Sequence, residues 1–279
     1  MKKFKIIYCL ALMMVFSACS DDHEENIAPV LDDVVINDQI KSQFRSLNFD
    51  PTDIAVTNFD DALEPAYENG NYLLEGDISV PARDFSEMLK SAITHTGAVG
   101  EQYRHTTLVS GLPRTIRVIG YTGGSAALDP TMKTALQWAI NNYNALNIGL
   151  YFTLTFGTNY SPYDIVVYKV SGGGGGSAGF PSGGNPYKYV RIQSGTSAYG
   201  YNVTEHVMTH EIGHCLGLRH TDWFNRSLSC GTGGSESPAI WIPGTPAGFD
   251  PNSVMLACFN SGESGEFGYY DKKALEYLY

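Results

Sequence analysis

Apolar and polar positions alternate only in short, broken stretches over the first third of the chain, and in longer regular patterns after it. Residues 115–121, Thr-Ile-Arg-Val-Ile-Gly-Tyr, alternate as a half-buried strand does. Asp129 followed by Pro130 supplies an N-cap and a proline at the first helical position, predicting an amphipathic helix to about residue 146. Its apolar side carries Met132, Leu136, Ala139, Ile140 and Tyr143. Residues 151–156, 164–170 and 187–193 read as further strands, rich in β-branched and aromatic side chains. The glycine run at 172–176 lacks the Gly-Lys-Ser/Thr ending and the helix start of a phosphate loop, so it reads as a flexible connector. In the first third, residues 71–80 pattern as one strand interrupted at Gly76. Asn202 with Glu205 three residues later reads as a capping box, so another helix is expected to open there.

Charge sharpens the division. Of 279 residues, 29 are acidic and 18 basic, a net charge of −11. Residues 19–104 hold 18 acids and 5 bases, whereas residues 105–279 hold 11 acids and 10 bases. Phosphate neutralisation needs clustered Lys and Arg, so no nucleic-acid partner is expected. Beyond residue 20 no apolar run approaches the roughly 20 residues that span a bilayer. Residues 1–18 run from Lys2, Lys3 and Lys5 through an apolar stretch to small residues, the order of an export signal peptide. Residues 16–19, Phe-Ser-Ala-Cys, resemble a bacterial lipobox, which implies cleavage before Cys19 and its lipidation. The acidic run at 21–25 is similar to the tag behind some surface lipoproteins, and equally reads as a solvated tether. The expected location is the bacterial outer membrane, facing outward or released, with the lipid anchor as the membrane contact. Three cysteines remain in an exported chain, and Cys230 with Cys258, both in Gly- and Ser-rich loop sequence, are the favoured disulfide.

The chemistry concentrates between Asn202 and His220. His210 and His214 are four apart on one helical face, the separation two imidazoles need to share a tetrahedral Zn2+. Glu211, next to the first, reaches the metal's vicinity without filling it and can take a proton from a bound water. Gly217 suits the left-handed residue that ends the helix and reverses the chain, returning His220 as third ligand. His206, one turn earlier, reads as structural because three histidines complete a site with one open position. Asp222 could orient His220, or simply face solvent in a turn.

His210-Glu211-Ile212-Gly213-His214, then Gly217 and His220, resembles the signature of the metzincin zinc peptidases, and Met255 in Ser-Val-Met fits their methionine turn. The wording is most similar to the bacterial dual-action HEIGH metallopeptidases, over about residues 112–279. The resemblance implies an α+β fold: a mixed, twisted sheet, an N-terminal backing helix, a zinc-binding active-site helix, the Met-turn and a C-terminal helix near residues 270–279. It also implies an edge strand at 187–193 that receives extended substrate. Leu74-Glu75-Gly76-Asp77-Ile78 resembles the astacin pro-segment motif, making Asp77 a candidate latency ligand; a Gly-Asp β-turn is the alternative.

These readings divide the chain into a signal peptide at 1–18, an acidic tether and pro-segment-like region at 19–104, and a catalytic domain at 105–279. The expected function is a lipid-anchored zinc endopeptidase acting on protein or peptide through a zinc-activated water, with Glu211 as general base and acid. Two other functions stay open: an adhesion lipoprotein with a degenerate zinc site, and a zinc hydrolase of a non-peptide bond.

Overall fold

A computed structural model describes residues 36–47, 49–57, 63–64, 70–92, 102–232, 239–245 and 248–279; the expected signal peptide at 1–18 and Cys19 lie outside them. Short apolar stretches give short elements in the first third: α1 (Asp38–Ser46), β1 (Ala55–Thr57), β2 (Asn71–Leu74), β3 (Ile78–Pro81), α2 (Ala82–Ala92) and β4 (Tyr103–Arg104). β1, β2 and β3 form an antiparallel sheet, and the expected strand at 71–80 is folded into a hairpin. Glu75 at φ 58° and Gly76 at φ 93° make its turn. Phe44, Phe49, Tyr72, Leu74, Ile78 and Phe85 form a small core that also takes in Phe180 from later in the chain.

The regular patterns give the main layer: β5 (Arg114–Tyr121), α3 (Pro130–Asn144), β6 (Leu150–Gly157), β7 (Ile165–Val170), β8 (Gly176–Ser177) and β9 (Tyr189–Gln193). Asp129 caps α3 as its sequence position predicts, its Oδ1 accepting from the Met132 amide at 2.9 Å. The five strands run in the order β6-β5-β7-β9-β8, parallel except for β8. This mixed sheet packs on α3 and on α4 (Tyr201–Leu216), and Met132, Leu136, Ala139, Ile140 and Tyr143 are all buried there. The edge on that side of the sheet is therefore β8, not the strand near 187–193, whose far side is already paired. Two residues, Gly and Ser, carry no side-chain pattern from which a strand could be read.

β10 (Leu218–Arg219), α5 (Ser227–Cys230), β11 (Ile240–Trp241) and α6 (Tyr269–Leu278) complete the chain. β4 pairs with both β10 and β11, so the compositional boundary at 104/105 falls at the end of a strand whose partners lie more than a hundred residues onward. The described residues all fall within one compact unit. The α+β class, the twisted mixed sheet, the helix carrying His210 and His214, and the C-terminal helix are as expected.

Candidate active site

α4 is buried over almost its whole length, because it lies between the sheet, α3 and the loops that follow it. It opens at Tyr201 after Gly200, and the expected capping box does not form. The Glu205 carboxylate instead accepts from Asn142 of α3 at 2.9 Å, a partner that lies 63 residues away and is invisible to a local motif. The helix ends where predicted. Gly217 adopts φ 102°, a conformation that a side chain would strain, and its amide returns to His214 O at 2.8 Å.

That reversal brings His220 to the two helix histidines. Ring centroids are 4.6 Å apart for His210 and His214, 5.3 Å for His210 and His220, and 5.0 Å for His214 and His220. Asp77 joins them from the β2–β3 turn: its Oδ2 lies 3.1 Å from His220 Nε2 and 3.5 Å from His210 Nε2. One ligand atom from each of these four residues falls within 4.8 Å of the others.

The donor set fits a metal. Carbonyl oxygens only accept, so His210 donates through Nδ1 to Val254 O at 2.9 Å, and His214 donates through Nδ1 to Leu218 O at 2.8 Å. Each ring therefore keeps its Nε2 lone pair, and both Nε2 atoms, with Asp77 Oδ1, are buried without a hydrogen-bond partner among the described residues. Buried polar atoms left unmatched are costly, and convergent ones are what a cation would satisfy.

Glu211 lies alongside, buried, with Oε2 also unpartnered. Gly176 of β8 passes so close that a Cβ there would sit 2.7 Å from Glu211 Cγ, so only glycine lets the edge strand cover this carboxylate. The glycine run that leads into β8 is thus more than a connector: Gly174 N donates to Gln193 at 3.0 Å and Gly175 N to Thr196 at 3.0 Å. Burial first, and then the Asp77 charge, raise the Glu211 carboxyl well above its ordinary range. Burial would raise Asp77, but the charge of His220 and the close approach of the His220 and His210 rings outweigh it and hold that group ionised. A cleft of about 210 Å³ opens here, lined among others by Asp77, Gly175, His206, Glu211, Ala257 and Phe259.

The floor and walls follow from later residues. Met255 is fully buried and sits against Gly213 of α4, and its carbonyl accepts from Thr221 N at 2.9 Å. Asp271 of α6 accepts from Val254 N at 2.8 Å, Ser253 Oγ at 2.7 Å and Gln102 Nε2 at 2.9 Å. It thereby fixes the carbonyl that orients His210, a role with no local signature beyond its place in the first turn of α6. Cys230 and Cys258 are joined in a disulfide, and Cys215 is buried within α4. His206 donates to Ser264 O at 3.0 Å and lies outside the four-residue cluster.

Asp222 neither orients His220 nor faces solvent. It is buried, one oxygen accepting from Ala257 N at 2.9 Å and the other from Ser229 Oγ. The carboxylate on His220 Nδ1 is Glu75 Oε2, at 3.1 Å. Glu75 belongs to the same short motif as Asp77, two residues before it. Glu64, in the same N-terminal third, forms a buried ion pair with Arg191 of β9 and accepts from Tyr187 Oη at 2.8 Å.

The sequence model of a family described as the dual-action HEIGH metallo-peptidases matches residues 72–279. No curated protein matches the chain. Two solved structures of myroilysin are similar to it. One is 13% identical over 62% of this chain and 82% of that one, with a TM-score of 0.38. The other is 14% identical over 60% and 83%, with a TM-score of 0.37.

Proposed function

Because the chain belongs to the dual-action HEIGH metallopeptidase family, we propose that it is a zinc endopeptidase whose own N-terminal region keeps it latent. The observation that carries this reading is the convergence of His210, His214 and His220 with Asp77 on one point, beside the buried Glu211. His210, His214 and His220 would hold zinc, leaving one position that Asp77 takes in the latent form. Zinc, when bound, supplies the Lewis acidity that polarises a carbonyl and acidifies water. Glu211 takes the proton of the attacking water as it adds to the scissile carbonyl, and returns it to the departing amine. Met255 supports the helix from below.

The latent arrangement also covers the sheet edge. Ile78 bridges Ala178 in parallel, Ser79 N donates to Ala178 O at 2.6 Å, and Ala178 N donates to Asp77 O at 2.9 Å. An extended substrate would use those same backbone groups by adding a strand at β8. Residues 19–104 act in this reading as tether and pro-segment, and residues 105–279 as the peptidase. A signal peptide at 1–18 and a lipid on Cys19 would anchor the protein to the outer membrane, exposed at the surface or released from it. Metabolic labelling with a radioactive fatty acid, lost in Cys19→Ala, tests the anchor.

Zinc content and cleavage of a peptide library by wild type and Glu211→Gln test the chemistry. Retained zinc with turnover reduced about 10²–10⁴-fold is expected. Equal cleavage by both proteins would remove Glu211 from the mechanism.

A further inference from the structure

Each histidine of the cluster is held through its Nδ1, but not by the same part of the molecule. His210 and His214 use backbone carbonyls at Val254 and Leu218, from the same half of the chain. His220 uses the Glu75 carboxylate, 145 residues earlier in sequence. We infer that Glu75 is a positioning residue of the metal centre, so the turn that obstructs the centre with Asp77 also completes it with Glu75. This inference rests on the zinc reading above.

Three further observations carry it. Glu75 is the one residue other than glycine with positive φ among the described residues, at 58°. Such a conformation is strained for a residue with a side chain and persists where surrounding contacts over-determine it. Those contacts are present: Arg226 Nη2 donates to Glu75 O at 2.9 Å, while Asp50 N at 3.2 Å and Arg219 Nη2 at 3.4 Å approach Oε1, leaving Oε2 directed at His220. The nearer candidate in sequence, Asp222, has both oxygens engaged by Ala257 and Ser229. A carboxylate on the far nitrogen of a metal-bound imidazole fixes its tautomer and raises its basicity. A cut that carried residues 70–81 away would take Glu75 with it.

The test compares zinc affinity, by chelator competition, of the full chain with that of Glu75→Gln and Glu75→Met. Both substitutions keep the side chain's approximate volume, but only Gln keeps an oxygen that accepts from Nδ1–H. Circular dichroism checks that each is folded. Glu75→Met should weaken zinc by about 10–100-fold, with Glu75→Gln recovering most of that loss. Equal affinity in all three proteins overturns the inference. So does an equal loss in Gln and Met, the pattern expected if Glu75 serves only as counter-ion to Arg219. A wild-type chain that takes up no zinc would instead defeat the zinc reading on which this rests.

Discussion

The two helix histidines and the third histidine illustrate different ways of building one site. His210 and His214 are set by the period of a single helix and steadied by carbonyls that the same half of the chain presents. His220 depends on a left-handed turn for its arrival and on the N-terminal third for its hydrogen bond. The N-terminal third is joined to the rest through, among other contacts, Glu64 on Arg191, Glu75 on His220 and Asp77 within the cluster. A segment held at three such points is part of the folded unit, whatever its regulatory use.

The largest effect should come from the helix side. If the three histidines hold zinc as proposed, His214→Ala removes a ligand that nothing else can supply, and should cut zinc affinity and turnover more than about 10³-fold, well beyond the effect of about 10–100-fold expected at Glu75, which acts through His220. Metal analysis by mass spectrometry beside a turnover assay checks it; a His214→Ala protein that still holds stoichiometric zinc would dissolve the distinction between intrinsic and borrowed ligands.

Next is the contact on the sheet. Glu64→Ala leaves the buried Arg191 without this carboxylate, and breaking one partner of a buried pair costs about 3–5 kcal/mol. Urea unfolding of the full chain should show that loss. A midpoint within experimental error of wild type would mean that the N-terminal third is docked mainly through Glu75 and Asp77.

Asp77→Ala should act in the opposite sense on function. It frees the open position while leaving Glu75 on His220, so full-length protein should cleave peptides at least about tenfold faster, a gain of about 1.4 kcal/mol in accessible active form. Unchanged basal cleavage with the N-terminal region attached would discard Asp77 as the latch.

What could be read from sequence follows the same line between local and distant causes. The spacing of His210 and His214, the cap at Asp129 and the reversal at Gly217 each obey rules that act within one or two helical turns, and the structure has all three. Cys230, at the end of α5, and Cys258, in the loop after Met255, are bonded. The capping box at Asn202 fails because Glu205 finds Asn142 across the helix pair. The edge strand escapes any pattern because β8 consists of Gly176 and Ser177, whose significance is their lack of bulk over Glu211. Glu75 and Asp271 act across 145 and 17 residues respectively, through bonds to a ring nitrogen and to a backbone amide that no hydrophobic period encodes.

The smallest predicted effect asks whether α4 is as self-contained as its ligands suggest. Glu205 faces α3 and not the cluster; burial, followed by the charge of Glu266, raises its pKa to about 7 against an ordinary 4.5, with the Asn142 hydrogen bond opposing. A carboxyl with a raised folded-state pKa binds more protons folded than unfolded, so stability falls as pH rises from about 4.5 to about 7 and stays lower above that. Glu205→Gln keeps an oxygen for Asn142 and removes the charge. Glu205 is nearly buried but lines a cleft with Asn202 and Glu266, so the shift is partly screened and a gain of about 1 kcal/mol at pH 8 is expected, or about 2–4 °C in Tm. At pH 4.5 the gain should vanish, because the wild-type side chain is then neutral in the folded protein. Melting curves of the two proteins at both pH values, with zinc affinity measured alongside, separate the cases. A Tm gain that is the same at both pH values would show that packing and not charge sets the cost. A change in zinc affinity would show that the α3 contact reaches His210 after all, and that the helix ligands are less independent of distant residues than His220 made them seem.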